Sequence, residues 1–336
     1  ERVGTGLGIP VYHYEVAAKE EKRKNLANCR KGEYEGLPKK LVDTDWKPDF
    51  GPAEFNKSVE KSGATAISAR DFLVAYNINL NTTSTRRANA VAFDIREAGR
   101  IKREGGTLSG KIMKDKDGNP LKTPGLFKAV KGIGWFIEEY GIAQISYNLT
   151  NINISPLHEV FDKTCERALA RGMRVTGSEL VGLVPKKVLI DAGKHFLKKQ
   201  ERSTGIHESE IIKIAIKTLG LEELAPFDPK ERVIEYILEN DTNKPLVNMK
   251  LIDFANETAS ESPAPGGGSI SAYCGAMGTA LGTMVANLSS HKKGWDDRWE
   301  EFSNWAEKGL TYQNTLLDLV DEDTNAFNKI MDAFRL

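Results

Sequence analysis

A chain of 336 residues exceeds what one hydrophobic core usually organises, so two domains are expected. With 40% apolar and 28% charged residues the composition is that of a soluble globular protein and excludes a disordered one. Lysine plus arginine and aspartate plus glutamate number 47 each, which leaves no net field to attract a phosphate backbone or an anionic membrane, so neither nucleic acid nor membrane is expected as a partner.

The three cysteines, Cys29, Cys165 and Cys274, are odd in number and widely separated. That usage argues against a disulfide framework or a zinc cluster and fits a reducing cytoplasm. The opening ERVGTGLGIPVYHYE has neither a basic stretch nor an apolar one of signal-peptide type. It reads as the tail of a helix, capped near Gly8, entering a strand over 10–14. The final DAFRL stops inside a helical pattern, so both ends are expected to lie within larger domains.

In chain order, the charged run 19–31 reads as a solvated helix, and 45–63, rich in proline, glycine and small polar residues, as a long functional loop. A strand is predicted over 64–80, with Phe72, Val74, Tyr76, Ile78 and Leu80 on one face. Residues 84–98 carry Ala88, Val91, Ala92 and Ile95 at helical spacing and stop at Gly99. Residues 100–126, including DKDGNP, show no periodicity and read as a flexible excursion. Strands over 127–138 and 142–151 are joined by a turn at Tyr140 and Gly141. A helix from Ser155 and Pro156 to Gly172 and a strand over 174–184 complete the series. Strand, helix, strand, strand, helix, strand is the ferredoxin-like βαββαβ order of an α+β domain. Helices over 186–199, 208–219 and 229–238, a polar linker at 241–245 and only helix thereafter make the C-terminal part all-α, a helical bundle. Its last helix, from 296 onward, is expected to break near Gly309.

Two features carry candidate chemistry. The first is the turn SPAPGGGS, where Gly266, Gly267 and Gly268 precede a helix: either the backbone admits an anionic ligand at the helix start, or the glycines serve close packing. The turn is not a P-loop, and the Gly278-x-x-x-Gly282 helix beyond it is too polar for a membrane span and suits a close-packed bundle. The second is an acid on an apolar stripe. Leu316, Val320, Phe327 and Ile330 mark a stripe that passes through Asp323, while Asp321, about 200° away around the helix, points to solvent. A carboxyl on a buried face holds its proton to higher pH, which suits a general acid or base; the alternative is a structural aspartate bonded to a neighbouring helix. The five histidines show no metal-ligand spacing, so no metal is expected.

The segments GEYEGLPKKL, WKPDFGPAEF, GATAISARDFLVAYNINL, VKGIGWFIEE, GSELVGLVP and PFDPKERVIEYI, in that order, resemble the transferase half of the formimidoyltransferase-cyclodeaminase family. SPAPGGGSISAYCGAMGTALGTMV and LVDEDTNAF resemble its cyclodeaminase half. The resemblance implies a cytoplasmic, homo-oligomeric folate enzyme of histidine breakdown. Such an enzyme transfers the formimino group of N-formimidoyl-L-glutamate to tetrahydrofolate and then closes the ring to 5,10-methenyltetrahydrofolate with loss of ammonia. It puts folate binding on Gly51, Pro52, Ala53, Glu54, Phe55, Ser62 and Gly63, the cyclodeaminase catalytic acid on Asp323, and a second folate contact on Gly266 to Gly268. It also implies that 1–62 is the end of an N-terminal transferase subdomain whose catalytic histidine lies outside this chain. Residues 63–240 are then the C-terminal subdomain, 241–246 a linker and 247–336 the first part of the cyclodeaminase domain. The competing reading is a folate-binding or oligomer-forming fragment without turnover.

Overall fold

The central strand owes its place to the alternation in VAYNINL. In the computed structural model, which describes residues 1–69, 71–106, 110–238 and 244–334, this stretch pairs on both sides. The chain forms two compact units, Glu1–Asp71 and Phe72–Leu336.

In the first unit, β1 (Val11–His13) pairs in parallel with β2 (Thr65–Ile67). Between them lie the short helices α1 (Leu26–Cys29), α2 (Leu37–Val42) and α3 (Lys57–Ser62). The predicted long loop therefore contains a helix, started by Asn56, whose side-chain oxygen accepts from Ser58 and Val59 N–H at 3.0 Å. Tyr12, Leu37, Leu41 and Val59 form a small core, with Trp46 and Phe55 against it. The charged run 19–31 is not simply a solvated helix. Arg23 is buried, pairs with Asp49 at 2.9 Å and donates to the Lys47 carbonyl at 2.7 Å.

The predicted strand over 64–80 is thus two strands, β2 in the first unit and β3 (Val74–Leu80) in the second; Arg70 lies outside the described residues, and Phe72 is exposed. The second unit continues with α4 (Thr85–Ile95), β4 (Arg100–Ile101), β5 (Lys122–Thr123), β6 (Val130–Ile137), β7 (Ile142–Leu149), α5 (Leu157–Leu169) and β8 (Val175–Val181). The sheet runs β6-β7-β3-β8, every pairing antiparallel. Val74, Tyr76, Ile78 and Leu80 are buried as the alternation requires, and the opposite face holds a buried polar layer. There Gln144 donates to Asn79 at 2.8 Å, Asn79 donates to Glu223, and Asn77 donates to Glu179 at 3.2 Å. On the edge strand the side chain of Asn89 clamps Gly134, donating to its carbonyl at 2.8 Å and accepting its N–H at 3.0 Å.

Helices α6 (Lys186–Lys199) and α7 (Glu208–Leu219) follow. The predicted helix over 229–238 is interrupted into α8 (Pro229–Arg232) and α9 (Ile234–Leu238), because Val233 bridges to Val184. The predicted linker residues 241–243 lie outside the described residues. Helices α10 (Leu251–Thr258), α11 (Gly267–Ser289) and α12 (Trp299–Phe334) complete the chain. Helix α12 does not break at Gly309: a Cβ there would lie 2.2 Å from the Thr283 hydroxyl, so this glycine permits close packing of α11 on α12. Gly278 and Gly282, expected in that role, have nothing within 4 Å of the corresponding position. The 203–205 turn holds both helices, with Ser203 donating to Asn287 at 2.6 Å, Asn287 to the Gly205 carbonyl at 2.8 Å, and Thr204 N–H to the Ser303 hydroxyl at 3.0 Å. Among the described residues no helix is long and apolar enough to cross a membrane.

Packing of α5 on α6 buries His158, whose ring lies 4.4 Å from that of His195. Burial, reinforced by His195, pulls His158 from 6.5 down to about 4. Within that window the unfolded chain holds a proton that the folded one refuses, so stability must fall as pH drops from about 6.5 to about 4. We expect a loss on the order of 3 kcal/mol from this residue. It is read as the difference between wild-type and His158→Gln urea-unfolding profiles at pH 7 and pH 4; parallel profiles would contradict the assignment.

Candidate functional site

The N-cap of helix α11 is Gly266, which has no side chain with which to cap the helix, so the first N–H groups need acceptors from elsewhere. Asp323 supplies one from α12: its Oδ2 accepts the Ser269 N–H at 2.9 Å. The Ser269 hydroxyl, fully buried, is shared between the Val320 carbonyl oxygen at 2.8 Å and Oδ2 at 3.1 Å, and sits 3.1 Å from the Thr324 hydroxyl. Among the described residues no donor reaches Oδ1. A Cβ on Gly268 would lie 2.3 Å from Oδ1 and 2.5 Å from the carboxyl carbon. Any larger residue at 268 would displace the carboxylate, whose face the glycine leaves open. Two pieces picked out separately, the triple glycine and Asp323, meet in one place.

Asp323 is nonetheless not the buried acid that the stripe suggested. It is exposed, while Asp321, expected in solvent, is 3% exposed. The seam toward α11 runs through Gly309, Leu316, Val320 and Thr324, and Asp323 and Asp321 lie on either side of Val320 around the helix. Asp321 accepts the N–H groups of Leu246 at 2.9 Å and Val247 at 3.1 Å, a structural role that ties the segment before α10 to α12. The reading from sequence missed Ser269 and Thr324; the serine directly after three glycines, three residues into a helix, was the available signal.

The predicted folate segment lies in the first unit. Gly51 adopts φ +86° with the Ile9 carbonyl oxygen 2.4 Å from where a Cβ would stand, so only glycine fits this crossing of two backbones. Phe55 meets Tyr34 edge-on with centroids 6.2 Å apart, and Gly63 lines a cavity of about 350 Å³ with Tyr12, Tyr34 and Lys40. Pro52 and Ala53 are half-buried, and Glu54 and Ser62 are exposed. In the cavity wall the Tyr12 hydroxyl is buried with no partner among the described residues. Burial pushes Tyr12 up to about 12 and lowers Lys40, whose ammonium lies 4.7 Å from the Trp46 ring centroid and donates to the Cys29 carbonyl. Among the described residues no group of three or more histidine, cysteine, aspartate or glutamate side chains is placed to hold a metal.

This combination, an α+β part followed by helices, with a glycine turn set against an acid, agrees with comparison to known proteins. The family described as Formiminotransferase domain, N-terminal subdomain, matches residues 1–70, Formiminotransferase domain matches 75–239, and Formiminotransferase-cyclodeaminase matches 250–336. The chain belongs to the formimidoyltransferase-cyclodeaminase family. It is 40% identical over 337 aligned residues to the formimidoyltransferase-cyclodeaminase of Gallus gallus, which covers 100% of this chain and 58% of the relative. It is also 35% identical over 201 residues to the glutamate formimidoyltransferase of Streptococcus pyogenes serotype M1, covering 60% of this chain and 58% of that one. Over 89 residues, 26% of this chain and 43% of the relative, it is 36% identical to the methenyltetrahydrofolate cyclohydrolase of Methylorubrum extorquens. The chain thus spans 58% of the length of the bifunctional relative from Gallus gallus.

The glycine turn makes a paired prediction. Gly268→Ala should cost about 1–3 kcal/mol in denaturant unfolding, because its methyl displaces the Asp323 carboxylate. Gly267→Ala, with nothing within 4 Å, should be neutral or stabilising. Equal effects of the two substitutions would show that Asp323 is not held against the turn.

Proposed function

We propose that this protein is a folate-dependent one-carbon enzyme of histidine degradation. It moves the formimino group of N-formimidoyl-L-glutamate to tetrahydrofolate and cyclises 5-formimidoyl-tetrahydrofolate to 5,10-methenyltetrahydrofolate, releasing ammonia. The observation that carries the cyclisation is the Asp323 carboxylate against Gly268, one oxygen fixed by Ser269 and the other free of protein donors among the described residues. In this reading the N10 lone pair attacks the formimino carbon, and Oδ1 takes the proton that N10 loses. The same oxygen delivers a proton to the departing nitrogen, the carbon–nitrogen bond breaks, and ammonia leaves. Oδ2 stays bonded to the start of α11, so the relay does not swing away between the two transfers. Gly266, Gly267 and Gly268 form the second folate contact.

For the transfer step we assign folate to Gly51, Pro52, Ala53, Glu54, Phe55, Ser62 and Gly63. Tetrahydrofolate is the carrier and substrate, and none of these steps calls on a metal. The antiparallel β6-β7-β3-β8 order supports a ferredoxin-like transferase subdomain, and we propose domain bounds near 62, 240 and 246. A cytoplasmic homo-oligomer is the setting we propose. One observation favours the second reading, a folate-binding or oligomer-forming piece without turnover: Met277, Leu281, Met284 and Leu288 along α11 are about half exposed, an apolar surface suited to contact.

The two readings part on one assay, methenyl-tetrahydrofolate formation from N-formimidoyl-L-glutamate and tetrahydrofolate. Asp323→Asn should fold, bind folate and lose methenyl product by about 10²- to 10⁴-fold, the usual yield of a positioned acid–base group. Ammonia release at the wild-type rate in that variant removes Asp323 from the mechanism, and a flat trace from the wild type with folate bound favours the non-catalytic piece.

A further inference from the structure

The stretch 100–123 serves no step of the proposed chemistry, yet its described residues, 100–106 and 110–123, form paired structure and not the expected flexible excursion. β4 pairs antiparallel with β5, Arg103 bridges to Ile112, and Lys114 bridges to Pro120, giving a small arm that closes over α4. Between arm and helix is a cavity of about 520 Å³, a volume suited to a small-molecule ligand. Five cationic side chains line it, Arg86, Arg96, Arg100, Lys102 and Arg103, and among the described residues none that lines it is acidic. Arg100 is paired with Asp94, which also holds Arg171. Arg96 is spent on the carbonyl oxygens of Gly99 and Gly132, both at 3.1 Å, and stacks 3.9 Å from the Phe93 ring centroid. Arg103 donates to the Gly110 carbonyl at 2.9 Å. Among the described residues no carboxylate pairs with Arg86, Arg96, Lys102 or Arg103. The cavity also has an apolar side, made by Phe93 with Ile101 and Met113, which are 39% and 41% exposed.

We propose that this cavity binds a nucleotide, with its phosphates on the arginines and its base on the apolar side. Four cations without a carboxylate call for a ligand of several negative charges, and guanidinium forks match phosphate oxygens two at a time. A monocarboxylate would leave most of that charge unanswered. The aromatic and aliphatic patch has no use for inorganic phosphate, and a flat base gives it a partner. Arg96, rigidly held over Phe93, offers a stacking surface as well as a charge.

Isothermal titration of the whole chain with ADP, adenosine, pyrophosphate, citrate, a short single-stranded oligonucleotide and tetrahydrofolate tests this. ADP should bind and weaken as salt rises, and adenosine and pyrophosphate should each bind at least roughly tenfold less tightly, since each lacks one half of the recognition. Arg86→Ala and Lys102→Ala remove side chains with no ion pair among the described residues. Each should keep the wild-type melting temperature and weaken ADP roughly tenfold, the worth of one charged hydrogen bond. The proposal is overturned by a flat ADP titration, by unchanged affinity in both variants, by pyrophosphate or citrate binding as tightly as ADP, by a tighter oligonucleotide, or by displacement of ADP with tetrahydrofolate, which would make the cavity part of the folate site.

Discussion

The bond from the Ser269 N–H to Asp323 is the constraint on which the helical part depends. A helix that opens on three glycines cannot cap itself, and its first N–H groups would otherwise face water at the end of a buried seam. Taking the acceptor from α12 fixes the rotation of one helix against the other. Once that register is set, Gly275 lies against Leu316 and Gly309 against Thr283, and the seam closes along its length. The 203–205 turn then secures the pair further along, through Asn287 on α11 and Ser303 on α12. The carboxylate proposed for chemistry is thus also the carboxylate that orients the bundle, so the geometry of the site follows directly from helix packing.

Much of the α+β part was legible because its signals are local. The alternation in VAYNINL and the helical spacing of Ala88, Val91, Ala92 and Ile95 each reflect one element's own burial, and the turn at Gly141 reflects that residue's own positive φ. What failed depended on partners that periodicity does not reveal. The stretch 64–80 keeps its strand-like character through a change of partner, so β2 and β3 looked continuous although they belong to different units. The arm over 100–123 pairs in runs of two residues, too short to leave a period. At Gly309 the low helix propensity of glycine suggested a break, and tertiary packing against Thr283 overrode it.

The residues proposed for the site stood out in the sequence, but their environment did not. Triple glycine and Asp323 were found as separate features, and their meeting required the fold. The stripe of apolar residues on α12 was read with a small error of phase. Around a helix, one residue is about 100°, so such an error is enough to exchange the buried acid for the exposed one. Asp321, which seemed free, is bonded to two backbone N–H groups, and the supposed buried residue stands at an open turn.

That exchange alters the chemical case for Asp323. Burial was to have made it an acid–base group; what distinguishes it instead is unequal use of its two oxygens. Oδ2 is bonded to Ser269, whose hydroxyl also reaches the Val320 carbonyl and Thr324, so the side chain is held in one rotamer by the start of α11. Oδ1 faces the position where any residue larger than glycine at 268 would stand. A proton carrier needs both properties, a fixed pivot and an unobstructed oxygen, because transfer rates depend on geometry as strongly as on acidity. Asp321 has the opposite arrangement, with both oxygens committed to backbone N–H groups, and so has none to offer. Of two aspartates two residues apart on one helix, the one bound by a single oxygen is the one with an oxygen left for the proposed proton transfer.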